Sequence, residues 1–369
     1  MSAATAFVLR HPLGTFVVET DSAIVETQLR ERLEPYVRVS AEEADRRPDL
    51  VVTARVESIP LPSGPSTEIM IRDHPHFERY RRPADLWELA SEYVMLERKN
   101  SSLFRWSTDA PARVAVANAD ATSLAKSVRR LVQDFLRLRV WHCGGMIVEA
   151  STISLDGVGM LAVGGSGVGK TTLLARFLEL GARMVSNDEV ALCPGGDGIV
   201  AYGLPMLVNV RPVMVESFPR LREVADFMEA ADPKAPVRYD TFAHVLGGGV
   251  ESSADRLVGV LLSLGREPAR DVDPSAFASA LMDNILSGPG FAGMGWTSPW
   301  RMLPPGFPEP ERPELERRAA RIAREVPAVT IGRLYSPGDI AEVARVRLAR
   351  AAPPHAKLTP PSTLLASPE

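Results

Sequence analysis

The stretch VGGSGVGKTTLLARF, residues 163–177, sets Gly164, Gly169, Lys170 and Thr171 at the spacing G-x-x-x-x-G-K-[ST]. Those residue types serve one chemistry. Backbone N–H groups have to close around phosphate oxygens, and side chains at Gly164, Gly165, Gly167 and Gly169 would obstruct that approach. Lys170 brings a mobile positive charge to the outer phosphates, and the Thr171 hydroxyl is the expected ligand of a nucleotide-bound magnesium ion. The stretch is a Walker A loop, expected to hold ATP with Mg2+ through Gly164, Gly165, Ser166, Gly167, Val168, Gly169, Lys170, Thr171 and Thr172. Lys99, Lys126, Lys170, Lys234 and Lys357 are all the lysines of the chain, so a lysine here is no by-product of composition.

A second group of reactive types follows in GARMVSNDEVAL, residues 181–192. A helix closing near Gly181 and a short strand over 183–185 would carry Asn187, Asp188 and Glu189 to the carboxyl edge of a sheet, beside the phosphates. There Asp188 can accept the proton of an attacking hydroxyl, while Asn187 helps to hold magnesium. Without a ligand the same residues read as a solvated turn. Glu149, in VEAST, is a further carboxylate one strand before the loop, either an aid to Asp188 or a surface ion-pair partner. No Asn-Lys pair occurs, which excludes the NKxD base-recognition motif of Ras-like GTPases, and no LSGGQ-like segment of an ABC ATPase is present.

The elements that must position these residues are legible around them. An apolar run over 160–163 predicts the strand before the loop, and 172–180 predicts the helix after it. Residues 121–141 place Leu124, Val128, Leu131, Val132, Phe135, Leu136 and Val140 on one helical face, which predicts a long bridging helix. Upstream, FVVET and DLVVTARV read as strands, 23–36 as an amphipathic helix, and EYVMLERKNSSLFRWS as two strands around a turn at 99–101. Downstream, LVGVLLSL and VPAVTIG predict strands and 274–286 a helix. Arg211, Lys234, Arg238 and Arg266 are candidate stabilisers of a transferring phosphoryl group. Residues 244–255 read as a closing loop or a plain connector, and 288–300, with Trp296 and Trp300, as a second flexible segment.

With those residues in view, the chain resembles the catalytic domain of HPr kinase/phosphorylase and its HPr-kinase-like relatives, a P-loop fold shared in outline by phosphoenolpyruvate carboxykinase. The common pattern is G-x-S-G-x-G-K-[ST], a helix closing on glycine, a short strand and an acidic pair. Here it is carried by Gly164, Ser166, Gly167, Gly169, Lys170 and Thr171, then Gly181, then Asn187-Asp188. The similarity is specific over 144–192, weaker as far as residue 348, and does not extend to the first 120 residues. Glu149 stands where bifunctional members carry a histidine, Asn187 stands for the first acid, and the Glu-x-Arg-Gly segment associated with the phosphorylase half-reaction is absent. The resemblance implies kinase-only chemistry on a substrate other than HPr, with Asp188, Lys170 and Glu149 catalytic and Thr171 and Asn187 on the metal.

The expected fold class is α/β. A P-loop kinase domain of the HPr kinase/phosphoenolpyruvate carboxykinase type covers 144–350, preceded by a smaller α+β N-terminal domain over 1–120 and a bridging helix over 121–143. The Pro-rich tail, 351–369, is expected to be disordered. The chain has 369 residues, 45% hydrophobic and 24% charged, with net charge -4. That balance argues against nucleic acid as a partner, and the lack of a long apolar run argues against a membrane. Cys143 and Cys193 lie far apart without CxxC or Cys/His spacing, which suggests neither a disulfide framework nor a zinc site and predicts buried free thiols in a reducing, cytoplasmic compartment. The expected partner is a phosphoryl acceptor, whether peptide, protein or small metabolite, and a homo-oligomer is compatible with all of this. The competing expectation is a non-catalytic protein that uses ATP to control a partner interaction.

Overall fold

The computed structural model describes residues 5–34, 36–40, 48–58, 60–73, 82–107, 113–196, 198–227, 233–263, 269–286, 295–296 and 311–332. Its architecture is mixed α/β, with several sheets. The tail after 351, the segment 333–348, Arg266, Trp300 and most of 288–300 lie outside the described residues.

The first part of the chain supplies nine strands of a ten-stranded sheet, and Gly295–Trp296 adds the tenth by pairing antiparallel with Arg72–Asp73. Leu50–Val56 runs parallel to both Gly14–Thr20 and Arg113–Asn118, while Glu92–Glu97 and Ser102–Ser107 form the expected hairpin. The helix Ala23–Leu33 ends earlier than its apolar pattern, and Ala121–His142 runs one residue beyond its own. The long helix begins cleanly because the Asp120 carboxylate accepts from the Ser123 N–H at 2.7 Å, satisfying an otherwise unpaired donor. Its apolar face joins Phe16, Leu50, Trp106 and Val116 in one core, and that core continues into Ile147, Ala191 and Leu204 of the second part.

A seven-stranded sheet lies at the centre of the second part. Val158–Val163 is buried at every residue, as a strand covered on both faces must be. Alternation divides its side chains: Val158 and Met160 pack with Leu174 and Phe177 of the helix Lys170–Glu179. Leu161 and Val163 point the other way, to Phe277, Leu281, Leu315 and Ile322 on the helices Pro274–Asp283 and Arg312–Glu325. Val158–Val163 pairs in parallel with Leu257–Ser263, which pairs in parallel with Ala328–Gly332. No helix among the described residues is long and apolar enough to cross a membrane.

Two readings change with the tertiary structure. The loop helix starts at Lys170 rather than 172, because the lysine itself supplies the first turn. Residues 244–255 are no free loop: Gly249–Val250 pairs with Arg183–Met184, and Ser253–Ala254 pairs with Ala201–Tyr202. Both cysteines are free, as expected, Cys193 buried and Cys143 partly so; the end of the long helix brings them together, and a hydrogen bond from Cys193 holds the Cys143 thiol below the usual range.

The two parts of the chain meet at Gly203. Its carbonyl accepts from His11 Nε2 at 2.9 Å, and a Cβ there would lie 2.1 Å from the Val185 carbonyl oxygen and 2.2 Å from Tyr36 Cε1. Backbone oxygen does not yield as a side-chain tip does. Gly203→Ala is expected to destabilise the protein by about 3 kcal/mol, the upper end of ordinary overpacking, read as a lower urea midpoint at unchanged slope.

Candidate functional site

The strand Val158–Val163 delivers the chain to the glycine loop at the carboxyl edge of its sheet, and the helix Lys170–Glu179 leaves from the loop's far side. Gly167 and Gly169 have φ of +81° and +107°, a backbone region that side chains avoid. Open space surrounds both positions, as it does Gly165. The demand for glycine at 167 and 169 is thus conformational first, and the space left over is where an anion fits. The ten-residue helix directs its positive end and free N–H groups into that space.

Lys170 is buried, and its ammonium donates to the Gly164 carbonyl at 2.6 Å, to Gly165 at 3.2 Å and to Glu149 Oε1 at 3.0 Å. Glu149 occupies the break between the strands Met146–Val148 and Ala150–Leu155, where its own N–H donates to the Asn284 carbonyl at 2.6 Å. Its carboxylate therefore belongs to the loop site, not to an unrelated surface pair. The Thr171 hydroxyl donates to Asn187 Oδ1 at 3.1 Å, and Ser151 donates to the same oxygen at 2.9 Å.

The strand Arg183–Ser186 ends in the acidic turn as expected. Asp188 has φ of +70°, which turns the chain sharply back into Val190–Gly195. Asn187 is locked by Tyr239, whose hydroxyl donates to the Asn187 carbonyl at 2.5 Å and accepts its N–H at 3.2 Å. Tyr36 packs edge-on against that ring at 5.0 Å. Glu189 points away from the loop and receives a fork of hydrogen bonds from Arg137 of the long helix, at 2.7 and 3.0 Å. Asn187 thus turns its amide to Thr171 and Glu189 its carboxylate to Arg137, while Asp188 lies close enough to Lys170 and Glu149 to feel both charges. Burial pushes its carboxyl up to about 6, the charge of Glu149 adds to the rise, and Lys170 and Lys234 oppose it.

Glu149, Lys170, Thr171, Asn187 and Asp188 thus come together. Of the candidate cations, Lys234 is near enough for its charge to act on Asp188, whereas Arg238 forms an ion pair with Asp240 at 2.6 Å. Ser151, Tyr239 and Arg137 were not readable as site residues. A tyrosine 52 positions from its partner leaves no spacing signal.

Beside the loop lies a cavity of about 330 Å³, lined by Gly167, Gly169, Thr172, Arg176, Val213 and Leu262 among others. Its mix of loop backbone and apolar wall suits a nucleoside. The glycine cradle, the loop lysine and the paired oxygens of Thr171 and Asn187 fit a nucleotide polyphosphate with magnesium, which takes few protein ligands and keeps several waters. No group of three or more His, Cys, Asp or Glu side chains suited to a metal occurs among the described residues.

No protein-family model matches the chain, and no curated protein matches it. Among solved structures, the Hpr(Ser) kinase/phosphatase from Coxiella burnetii is similar over 55% of this chain and 97% of that chain, at 11% identity and a TM-score of 0.29. A score that low leaves the chemistry to be read from the site itself.

Proposed function

We propose that the protein is an ATP-dependent kinase that transfers a phosphoryl group to a hydroxyl of a peptide, protein or small metabolite. What supports this reading is a half-buried carboxyl, Asp188, which burial pushes up to about 6, beside the glycine loop that leads into Lys170. A general base works best with a pKa near the operating pH. The loop backbone and Lys170 hold the phosphates, and Thr171 with Asn187 would hold magnesium, which supplies charge neutralisation. The acceptor oxygen bonds to the γ-phosphorus as the bond to the β,γ-bridging oxygen breaks, ADP departs, and the hydroxyl proton passes to Asp188. Glu149 positions the Lys170 ammonium and raises the basicity of Asp188 through its charge. Residues 1–120 serve in this reading as the recognition part.

A second reading, nucleotide binding that controls a partner interaction without transfer, is favoured by Asn187, whose amide oxygen already serves two hydroxyl donors and brings no charge. Two measurements separate the cases. Lys170→Ala is expected to weaken magnesium-ATP binding at least about tenfold by calorimetry, since a charge-assisted contact is worth roughly 1.5–3 kcal/mol. Unchanged affinity would overturn both readings. Transfer of label from γ-labelled ATP to an acceptor in the wild type, lost in the variant, supports the kinase, whereas nucleotide-dependent partner binding without transfer supports the second.

A further inference from the structure

A second cavity, of about 510 Å³, lies against the long helix and shares no lining residue with the cavity beside the loop. Arg32, Arg82, Lys99, Arg129, Arg130 and Arg137 all line it. The lining carboxylates are Asp134 and Glu189, both engaged by Arg137, and Glu97 behind the wall pairs with Arg82 at 2.7 Å and with Arg130 at 3.1 Å. Those pairs leave Arg129. It has no hydrogen-bond or ion-pair partner among the described residues, and its Nε is buried with nothing to donate to.

We infer that this cavity is a binding site for a small molecule bearing a phosphate group, held by the guanidinium of Arg129 together with those of Arg32 and Arg130. Six cations line the cavity against the three carboxylates Glu97, Asp134 and Glu189, and that excess of positive charge is costly to keep together unless a further anion offsets it. Burial, then the charges of Arg130, Arg32, Arg137 and Arg82, pull the Arg129 guanidinium down to about 10, which is the electrostatic sign of a missing counter-charge. Guanidinium forks match phosphate oxygens two at a time, which a single carboxylate does not exploit as fully. A volume of about 510 Å³ is that of a metabolite-sized site. Glu189 lines the cavity and follows Asp188 directly in the chain, so an anion that competes for Arg137 acts on the acidic turn. The binding itself does not depend on the kinase reading.

The test is calorimetric titration of the full chain with inorganic pyrophosphate, made in the Lys170→Ala background so that the loop lysine does not contribute. Pyrophosphate is expected to bind that background within about threefold of the wild type. Adding Arg129→Gln should weaken it at least tenfold, and adding the exposed Arg32→Gln at least threefold. The melting temperature of Arg129→Gln without ligand should equal or exceed its parent's, because the removed cation satisfies no partner. The inference is overturned if Lys170→Ala alone abolishes the binding, or if Arg129→Gln leaves it within twofold. It also fails if Arg129→Gln melts many degrees lower, or if citrate, a glutamate-rich peptide or an oligonucleotide binds more tightly than pyrophosphate through Arg129.

Discussion

Asp188→Asn is expected to lower phosphoryl transfer by about 10²–10⁴, the usual contribution of a general base, while magnesium-ATP affinity stays within a few-fold. The substitution is mild for the backbone, since asparagine enters the left-handed region at φ of +70° as readily as aspartate. It removes one thing, the ability to take a proton. In the wild type that ability appears as pH rises: the carboxyl, pushed up to about 6 by burial and then by Glu149, is protonated and idle below that value and ionised above it. The transfer rate should climb through pH 6 and level off, and the variant's residual rate should lack that limb.

Stability has the opposite sign. A carboxyl whose folded value lies above its unfolded 3.8 favours folding below about pH 4 and loses that contribution as pH rises to 6. Asp188→Asn should therefore melt higher than the wild type at pH 7.5, with the gap closing at pH 4. Weakened magnesium-ATP binding, recovered by more magnesium, would identify Asp188 as a metal ligand instead. No change in binding or turnover would return the segment to a solvated turn.

Arg137→Ala is the change with the largest expected effect on stability, about 3–5 kcal/mol, because it strands two buried carboxylates at once. Arg137 donates to Asp134 at 2.9 Å and to Glu189 at 2.7 Å, and the three side chains are 12%, 6% and 12% exposed. Burial alone would lower the guanidinium's value, yet the two carboxylates outweigh it and the net direction is upward. Urea unfolding monitored by circular dichroism reads the loss. Combining Arg137→Met with Asp134→Asn and Glu189→Gln should restore most of it, since neutral partners leave no unpaired charge. If the triple variant is no more stable than Arg137→Ala, packing rather than charge accounts for the loss. The single variant should also slow transfer, because Glu189 anchors the turn that presents Asp188.

The residues around the loop were legible because their requirements are local. Glycine at positive φ, a lysine at the first helical turn and an apolar strand before them are set within a dozen residues, so spacing alone exposes them. The bridging helix was legible for a similar reason: its apolar face repeats at the helical period, and a run of that length tolerates errors of one residue at either end. The acidic turn was half legible. Its position followed from the Gly181 helix end and the short strand, but the division of labour among Asn187, Asp188 and Glu189 did not.

That division is tertiary. Glu189 is withdrawn by an arginine 52 residues earlier, and Asn187 is gripped by a tyrosine 52 residues later, which leaves Asp188 to face Glu149 and Lys170. The contact between the free thiols of Cys143 and Cys193, the strand pairing that ties down 244–255 and the crowd of arginines around Arg129 have the same origin. The amino-acid sequence by itself determined the glycine loop and the helix that leaves it, because backbone conformation and helix direction are properties of short segments. Which carboxylate of the turn is pushed up by burial, and which arginine has no partner among the described residues, were decided only when distant segments packed together, because burial and the distance between charges are properties of the folded chain.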